Sequence, residues 1–369
     1  MLMKILEVCV DLDGGGIDRY LLNYCSRIKG IQFDFAIVDK GRVGMLEQPI
    51  RDMGSRIYRA PRQSLGVIRY CRSMKKIMSG SGYDAVHIHL GYKSLLPLLC
   101  ARSCGIRTRI VHSHLAFVPE SGIEHLIRSI MTPPVKRLAT SLVACGIDSA
   151  RWTWGERAYE KGLVTIHHNA IPTAAFRYSP TVREKLREEL GIPSESLVFG
   201  HVGRLCDQKN QVRLIDIFSE IVKREENSFL MLIGSGDREK AVRERIDELH
   251  LAHKVFLLGT RNDVNDLLNT MDAFIFPSLY EGLPFTLIET QCNGLPAVSS
   301  DIVTPQVRVS DCLSFLPPDS SNALWAEKAI QIAKRGHDGQ AWKAVQLAGY
   351  DIDVESEKLK AFYTACIEE

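Results

Sequence analysis

The sequence predicts an α/β protein built as two doubly wound halves, each a parallel sheet flanked by helices. Two observations carry this. Short apolar runs of strand length alternate with stretches whose apolar residues fall at helical spacing. The alternation opens at Lys4 and starts again after residue 169, so a chain of 369 residues divides into two domains of ordinary size. A hydrophobic content of 45% with 24% charged residues is that of a soluble globular chain. No apolar run reaches the ~18–20 residues that span a bilayer. The N-terminus reads as a first strand and not as a leader. The ten cysteines are scattered without a paired metal spacing, which predicts reduced thiols and a cytoplasmic chain.

The net charge of +2 conceals an asymmetry. Residues 1–165 hold 24 Lys and Arg against 14 Asp and Glu, and the remainder is acidic by 8. A basic first half predicts an anionic partner there.

In order, Lys4 to Val10 is a strand, Asp11 to Gly16 a glycine loop, and Ile17 onward an amphipathic helix. The loop lacks G-x-G-x-x-G, because Arg19 stands at the sixth position from Gly14. Gly15 and Gly16 still allow backbone amides to approach a phosphate, or form a simple tight turn. Asp11 and Asp13 have metal-pair spacing, a minor alternative. Residues 33–38 form a second strand. Gly66 to Met78 reads as a helix with Arg69, Arg72, Lys75 and Lys76 on one side and Val67, Ile68, Cys71, Met74 and Ile77 on the other. The basic side is either a solvated face or a contact for anionic lipid or a lipid-linked diphosphate. Tyr83 to Leu90 is a strand that sets His87 and His89 on one face, where they read as structural or hydrogen-bonded groups and not as ligands. Arg107 to His112 leads into His114, and residues 115–124 read as a mobile loop. Strands follow at Ser141 to Cys145 and Leu163 to His167.

The second half opens with a helix at Thr181 to Leu190. A strand at Ser196 to Val202 runs into Gly203-Arg204-Leu205-Cys206-Asp207-Gln208-Lys209-Asn210. Arg204 by its fork and Lys209 as a point charge suit a diphosphate, with Gly203 leaving backbone room. Strands are expected at Phe229 to Ile233, Val255 to Leu258 and Leu295 to Ser299, and helices at Ala323 to Ala333 and Asp351 to Ile367. The Gly234-Ser235-Gly236 turn carries no dinucleotide fingerprint, since Glu239 fills the sixth position. A buried strand at Asp272 to Phe276 precedes a tight loop and a helix start. The free amides of Leu283, Phe285 and Thr286, flanking Pro284, can receive an anion. Glu281 lies before that turn and Glu289 a helical turn beyond it, so the two either face one crevice at the carboxyl end of a strand or are a loop acid and a surface helix acid.

The stretch from Pro277 to Glu289, PSLYEGLPFTLIE, resembles the E-x7-E signature of retaining glycosyltransferases of family 4. GRL-x3-KN at Gly203 to Asn210 resembles that family's second signature, and Gly15, Gly16 and Asp18 its glycine loop, with Asp in place of Glu. The resemblance covers nearly the whole chain. It implies the GT-B architecture, two Rossmann-like domains with parallel sheets facing across a cleft: residues 1–168 on the acceptor side, 169–345 binding the nucleotide sugar, and 346–369 crossing back. It further implies that Glu281 and Gly282 meet the donor sugar, Glu289 the ribose, and the backbone at Arg261 the base. His114, with His112 as the alternative, stands beside the sugar. At the linker, Ala170 and Thr173 depart from the family's glycine and acid.

The implied activity is metal-independent, retaining transfer from a nucleotide sugar, most simply a UDP-sugar, with no cofactor. The acceptor is a glycan or lipid-diphosphate-linked saccharide of exopolysaccharide or capsule synthesis. Attachment is peripheral, on the anionic inner leaflet, and nucleic acid is not an expected partner. The alternatives are another GT-B enzyme, such as a nucleotide-sugar epimerase or a phosphorylase, or a non-catalytic sugar-nucleotide or glycan-binding protein.

Overall fold

The structure, a computed structural model, describes residues 2–114 and 122–368. The chain forms two compact units, one of residues 1–170 with 352–369 and the other of residues 171–351.

The first unit runs β1 (Met3–Val8), α1 (Gly16–Cys25), β2 (Ile31–Val38), α2 (Glu47–Asp52), β3 (Ile57–Ala60), α3 (Val67–Ser79), β4 (Ala85–Ile88), α4 (Leu95–Ser103), β5 (Thr108–Ser113), α5 (Gly122–Leu138), β6 (Ser141–Ala144), α6 (Ile147–Trp154), α7 (Glu156–Glu160) and β7 (Val164–Ile166). The second contains α8 (Pro180–Glu189), β8 (Leu197–Val202), α9 (Gln211–Val222), β9 (Ser228–Ile233), α10 (Glu239–Glu248), β10 (Val255–Leu257), α11 (Val264–Leu267), β11 (Ala273–Phe276), α12 (Phe285–Asn293), β12 (Ala297–Ser300), β13 (Leu313–Leu316), α13 (Asn322–Ala333) and α14 (Ala341–Leu347). The last helix, α15 (Ile352–Glu368), belongs to the first unit.

Among the described residues the first sheet has seven strands in the order β3-β2-β1-β4-β5-β6-β7, and the second six in the order β10-β9-β8-β11-β12-β13. The recorded strand pairings are parallel. Sheets covered by helices on both faces bury whole strands, so these strands read as continuous apolar runs. Leu6 and Val8 on β1 and Val86 and Ile88 on β4 join one core with Met74, Leu98 and Trp154. In the second unit Leu230, Ile275 and Val298 pack against Leu214, Phe218 and Trp325.

Each sheet grows outward from a central strand in both directions. The order reverses between β1 and β4 in the first unit and between β8 and β11 in the second. Such switch points leave a crevice at the carboxyl ends of the two strands. Both sequence signatures of the second half, and the histidines of the first, sit there.

Candidate functional site

In the second unit the loop after β8 and the loop after β11 are stitched together. Leu279 N–H donates to the Gln208 carbonyl at 2.8 Å and Gln208 Nε2 to the Tyr280 carbonyl at 2.9 Å. This brings Lys209 Nζ to 2.7 Å from Glu281 Oε1, with the two side chains 15% and 7% exposed. Lys209 also lies over the Phe276 ring, 4.6 Å from its centroid, a favourable seat for a cation. Arg204 is exposed, and its carbonyl is anchored by Gln211 Nε2 at 2.8 Å. Gly203 is crowded, since a Cβ there would stand 3.3 Å from the Lys209 side chain.

The Gly234-Ser235-Gly236 turn, discounted from sequence as a dinucleotide site, proves to be the backing of this loop. Gly234 has φ +135°, and a Cβ on it would meet the Gly203 carbonyl oxygen at 2.1 Å. A Cβ on Gly236 would meet the Leu205 carbonyl oxygen at 2.2 Å. Leu205 N–H donates to the Ser235 carbonyl at 3.1 Å. The signal was present as two glycines with no fingerprint to explain them.

Pro284 is the N-cap of α12, so the amides of Phe285 and Thr286 open the helix, where no intrahelical acceptor exists for them. Leu283, Phe285 and Glu289 are buried, while Gly282 and Thr286 are half-buried. Arg261 is exposed and its guanidinium pairs with Asp263 at 2.8 and 2.6 Å.

In the first unit the switch point is filled by aromatic nitrogen. His87 and His89 on and after β4 meet His112 and His114 on and after β5. Ring centroids are 4.2 Å apart for His87 and His89, 4.0 Å for His112 and His114, and 5.2 Å for His89 and His114. An acid joins them: Glu7, on β1, lies 2.7 Å from His89 Nε2. Spacing could not reveal it, because β1 and β4 are neighbours only in the folded sheet. Burial pushes His89 down to about 4, with His87 adding to the effect against the pull of Glu7. Burial likewise holds His112 and His114 well below the ordinary histidine range, their neighbouring histidines reinforcing it and Asn169 opposing it at His114.

Nitrogens of His87, His89 and His112 lie within 4.8 Å of one another. That spacing is one at which three imidazoles could hold a metal ion. The His87 and His112 rings stack with centroids 5.3 Å apart and planes 4° apart, and His89 uses both its nitrogens within the chain.

Three expectations need correction. Gly15 caps α1, and the Gly14 and Gly15 amides both donate to Asp18 at 2.9 Å. They are spent on the chain's own carboxylate, leaving Gly16 as the glycine whose amide those bonds do not use. Burial, followed by the Asp11 charge, raises Asp18 to about 7. On α3, Arg69, Arg72, Lys75 and Lys76 are exposed as expected, but Val67 and Ile68 are exposed too. Met74 and Ile77 are buried as expected, but Tyr70 and Met78 join them in place of Val67 and Ile68, which turns the buried face by roughly an eighth of a turn. Of the loop expected at 115–124, residues 115–121 lie outside the described residues, and 122–124 begin α5. Asp11 and Asp13 both pair with Lys40, and Arg42 adds to Asp13.

Comparisons with known proteins follow this geometry. Residues 182–340 match the family described as glycosyl transferases group 1. EpsF of Bacillus subtilis is 28% identical over 364 residues, covering 94% of this chain and 93% of its own. The UDP-Gal:alpha-D-GlcNAc-diphosphoundecaprenol alpha-1,3-galactosyltransferase of Escherichia coli is 25% identical over 78% of this chain and 76% of its own. Anabaena HepE, solved with UDP-glucose, superposes with a TM-score of 0.80 at 19% identity, over 98% of this chain and 100% of that one. The two parallel-sheet, Rossmann-like units are thus those of the GT-B fold. The second unit carries a glycosyl transferases group 1 domain, and the chain is a glycosyltransferase.

Proposed function

We propose that the protein transfers a sugar from a nucleotide sugar, most simply a UDP-sugar, to a glycan or lipid-diphosphate-linked saccharide in exopolysaccharide or capsule synthesis. It does so with retention and without a metal. The observation that carries this reading is the Lys209–Glu281 pair. Each charge neutralises the other at 2.7 Å. A donor separates their tasks: its diphosphate takes Lys209 and Arg204, and its sugar hydroxyls take Glu281. Cations placed where the departing diphosphate gains charge do the work otherwise assigned to a metal. Glu289, a turn inside α12, accepts from the ribose. The segment at Arg261 meets the base. His114, in the first unit, meets a substrate hydroxyl. The relatives supply the substrate class: one is named for UDP-Gal and a diphosphoundecaprenol acceptor, and another for capsular polysaccharide biosynthesis.

The test is a screen of nucleotide sugars for slow hydrolysis by the purified protein, followed by two variants. Glu289→Gln should weaken free UDP. Glu281→Gln should leave free UDP binding nearly intact and lower turnover instead. Equal loss of UDP affinity in both would overturn the division of roles.

A specific observation also favours docking on an anionic membrane surface. No helix among the described residues is long and apolar enough to cross a membrane. Yet α5 exposes Ile123, Leu126, Ile127 and Ile130, one row at helical spacing, and α3 exposes Ile68 beside its four bases. Apolar side chains next to Lys and Arg suit an interface with anionic headgroups. Reversing the charges at Arg69, Arg72, Lys75 and Lys76 should abolish binding to phosphatidylglycerol vesicles. Wild-type binding indifferent to salt and to lipid charge would count against it.

A further inference from the structure

One carboxylate sets the direction of the hydrogen bonds that run through His89 to His114. Glu7 is fully buried, which alone would raise its pKa; the charge and hydrogen bonds of His87 and His89 outweigh this and hold it at about 2. At neutral pH it is therefore ionised and can only accept. His89 Nε2, 2.7 Å from Glu7 Oε2, must carry a proton and donate it. His89 is neutral at pH 7, so its Nδ1 is bare and accepts. The partner of that nitrogen is His114 Nε2, at 2.9 Å, which must in turn be protonated. His114 is also neutral, which leaves its Nδ1 bare. Among the described residues that Nδ1 meets no hydrogen-bond partner of ordinary geometry, and the Asn169 side chain also acts on His114.

A second chain ends on the other oxygen of the same carboxylate. Tyr363, on α15, donates to Glu7 Oε1 at 3.1 Å and receives His87 Nδ1 at 2.7 Å. Tyr363 thus takes the Glu7 oxygen that His89 leaves free, while His87 Nδ1 also lies 3.5 Å from Oε2. The carboxylate has no donor role to offer that could invert either chain.

We propose that Glu7, acting through His89, is a positioning residue that fixes His114 as its Nε2–H tautomer and presents the Nδ1 lone pair to a hydroxyl of the transferred sugar or of its acceptor. The inference deepens the reading of His114 as a substrate-touching group and rests on it for the last step. His114 then serves as a hydrogen-bond acceptor. It is not a cationic donor, because it stays neutral at working pH. Buried imidazoles hold a tautomer only as firmly as the group that anchors the far nitrogen. Here that anchor is two rings away from the substrate and comes from a different strand.

The experiment is nitrogen NMR of the full chain labelled with 15N-histidine at pH 7, with His114 assigned by the loss of its signals in His114→Gln. The expected result is a protonated Nε2 and a bare Nδ1 on His114. In Glu7→Gln the new amide donates as readily as it accepts, so His114 should become a mixture of both tautomers. UDP release from UDP-glucose and UDP-galactose should fall about 10- to 100-fold in kcat in that variant, with KM little changed. A wild-type His114 protonated at Nδ1 overturns the proposal, and this measurement needs no variant to fold. An unaltered tautomer in folded Glu7→Gln overturns it as well. If the tautomer responds as expected while UDP release falls in neither Glu7→Gln nor His114→Gln, the positioning chain is upheld. In that case the role of His114 toward substrate is what fails.

Discussion

At the switch point of the second unit, two loops supply opposite charges that meet in one ion pair, Lys209 and Glu281. At the switch point of the first, strands supply four imidazoles and one carboxylate, joined by hydrogen bonds and ring stacking. The same topology therefore frames two kinds of chemistry. The loop charges are largely buried against each other and can be exchanged for those of a ligand. Of the imidazoles, His89 is buried, held well down in pKa, and bonded at both nitrogens. One arrangement suits grasping a diphosphate, and the other suits holding a proton in a fixed place.

Acid should separate the two most strongly. His89 is held at about 4 and His167 at about 3, and His112 and His114 also lie below their ordinary value, in each case chiefly by burial. The second unit has His201 and His337, both at about 4 for the same reason. A folded value below the unfolded one means that the unfolded chain binds more protons. The stabilisation is complete above about pH 6.5 and is lost as pH falls through the folded values. For a group held at about 4, roughly 2 kcal/mol is gone by pH 5. Hydrogen exchange at pH 7 and pH 5 should show β4 and β5 losing protection before β8 and β9. The reverse order would break the comparison.

Next in size is a backbone effect confined to the second unit. Gly234→Ala places a Cβ on the Gly203 carbonyl at a φ of +135°, and should destabilise by about 2–4 kcal/mol. Gly259→Ala, at φ +62° with open space around it, should cost only about 1 kcal/mol. Equal midpoints in urea for the two variants would show that the turn does not brace the loop.

Smaller still is the loss of one phosphate contact. Lys209→Ala and Arg204→Ala should each weaken UDP binding by about 1.5–3 kcal/mol, while His114→Gln leaves it unchanged. Calorimetry with UDP that finds His114→Gln as damaging as Lys209→Ala would erase the division of labour. The smallest expected effect is none: turnover should survive exhaustive chelation. Loss with EDTA and rescue by magnesium or manganese would return attention to Asp11 and Asp13.

Legibility in the sequence followed the same divide. The second site is written in two contiguous stretches, and it was the resemblance of both to one family's signatures, more than spacing, that assigned Gly203, Arg204, Lys209, Glu281 and Glu289 to one site. The alternating apolar runs gave both sheets, because strands buried on two faces leave an unbroken apolar trace. The first site is assembled from residues 7, 87, 89, 112, 114 and 363. Each is unremarkable locally, and only strand order β1-β4-β5 brings them together. The buried face of α3 was misjudged at Val67 and Ile68 for a related reason. Periodicity gives the spacing of an apolar stripe but not which partners are present to cover it.

The helix α15 carries a consequence for how the protein is made. Tyr363 completes the hydrogen bonds of Glu7 and His87, Thr108 Oγ1 donates to the Cys366 carbonyl at 3.0 Å, and Arg27 pairs with Asp353 at 3.0 Å. Residues 1–170 are thus finished by a helix that lies beyond the whole second unit in the chain. Residues 171–351 can complete their own sheet before α15 exists. Residues 1–170 must wait with a buried carboxylate half satisfied until residue 363 has been added. The order in which the two units are completed is then the reverse of their order along the chain.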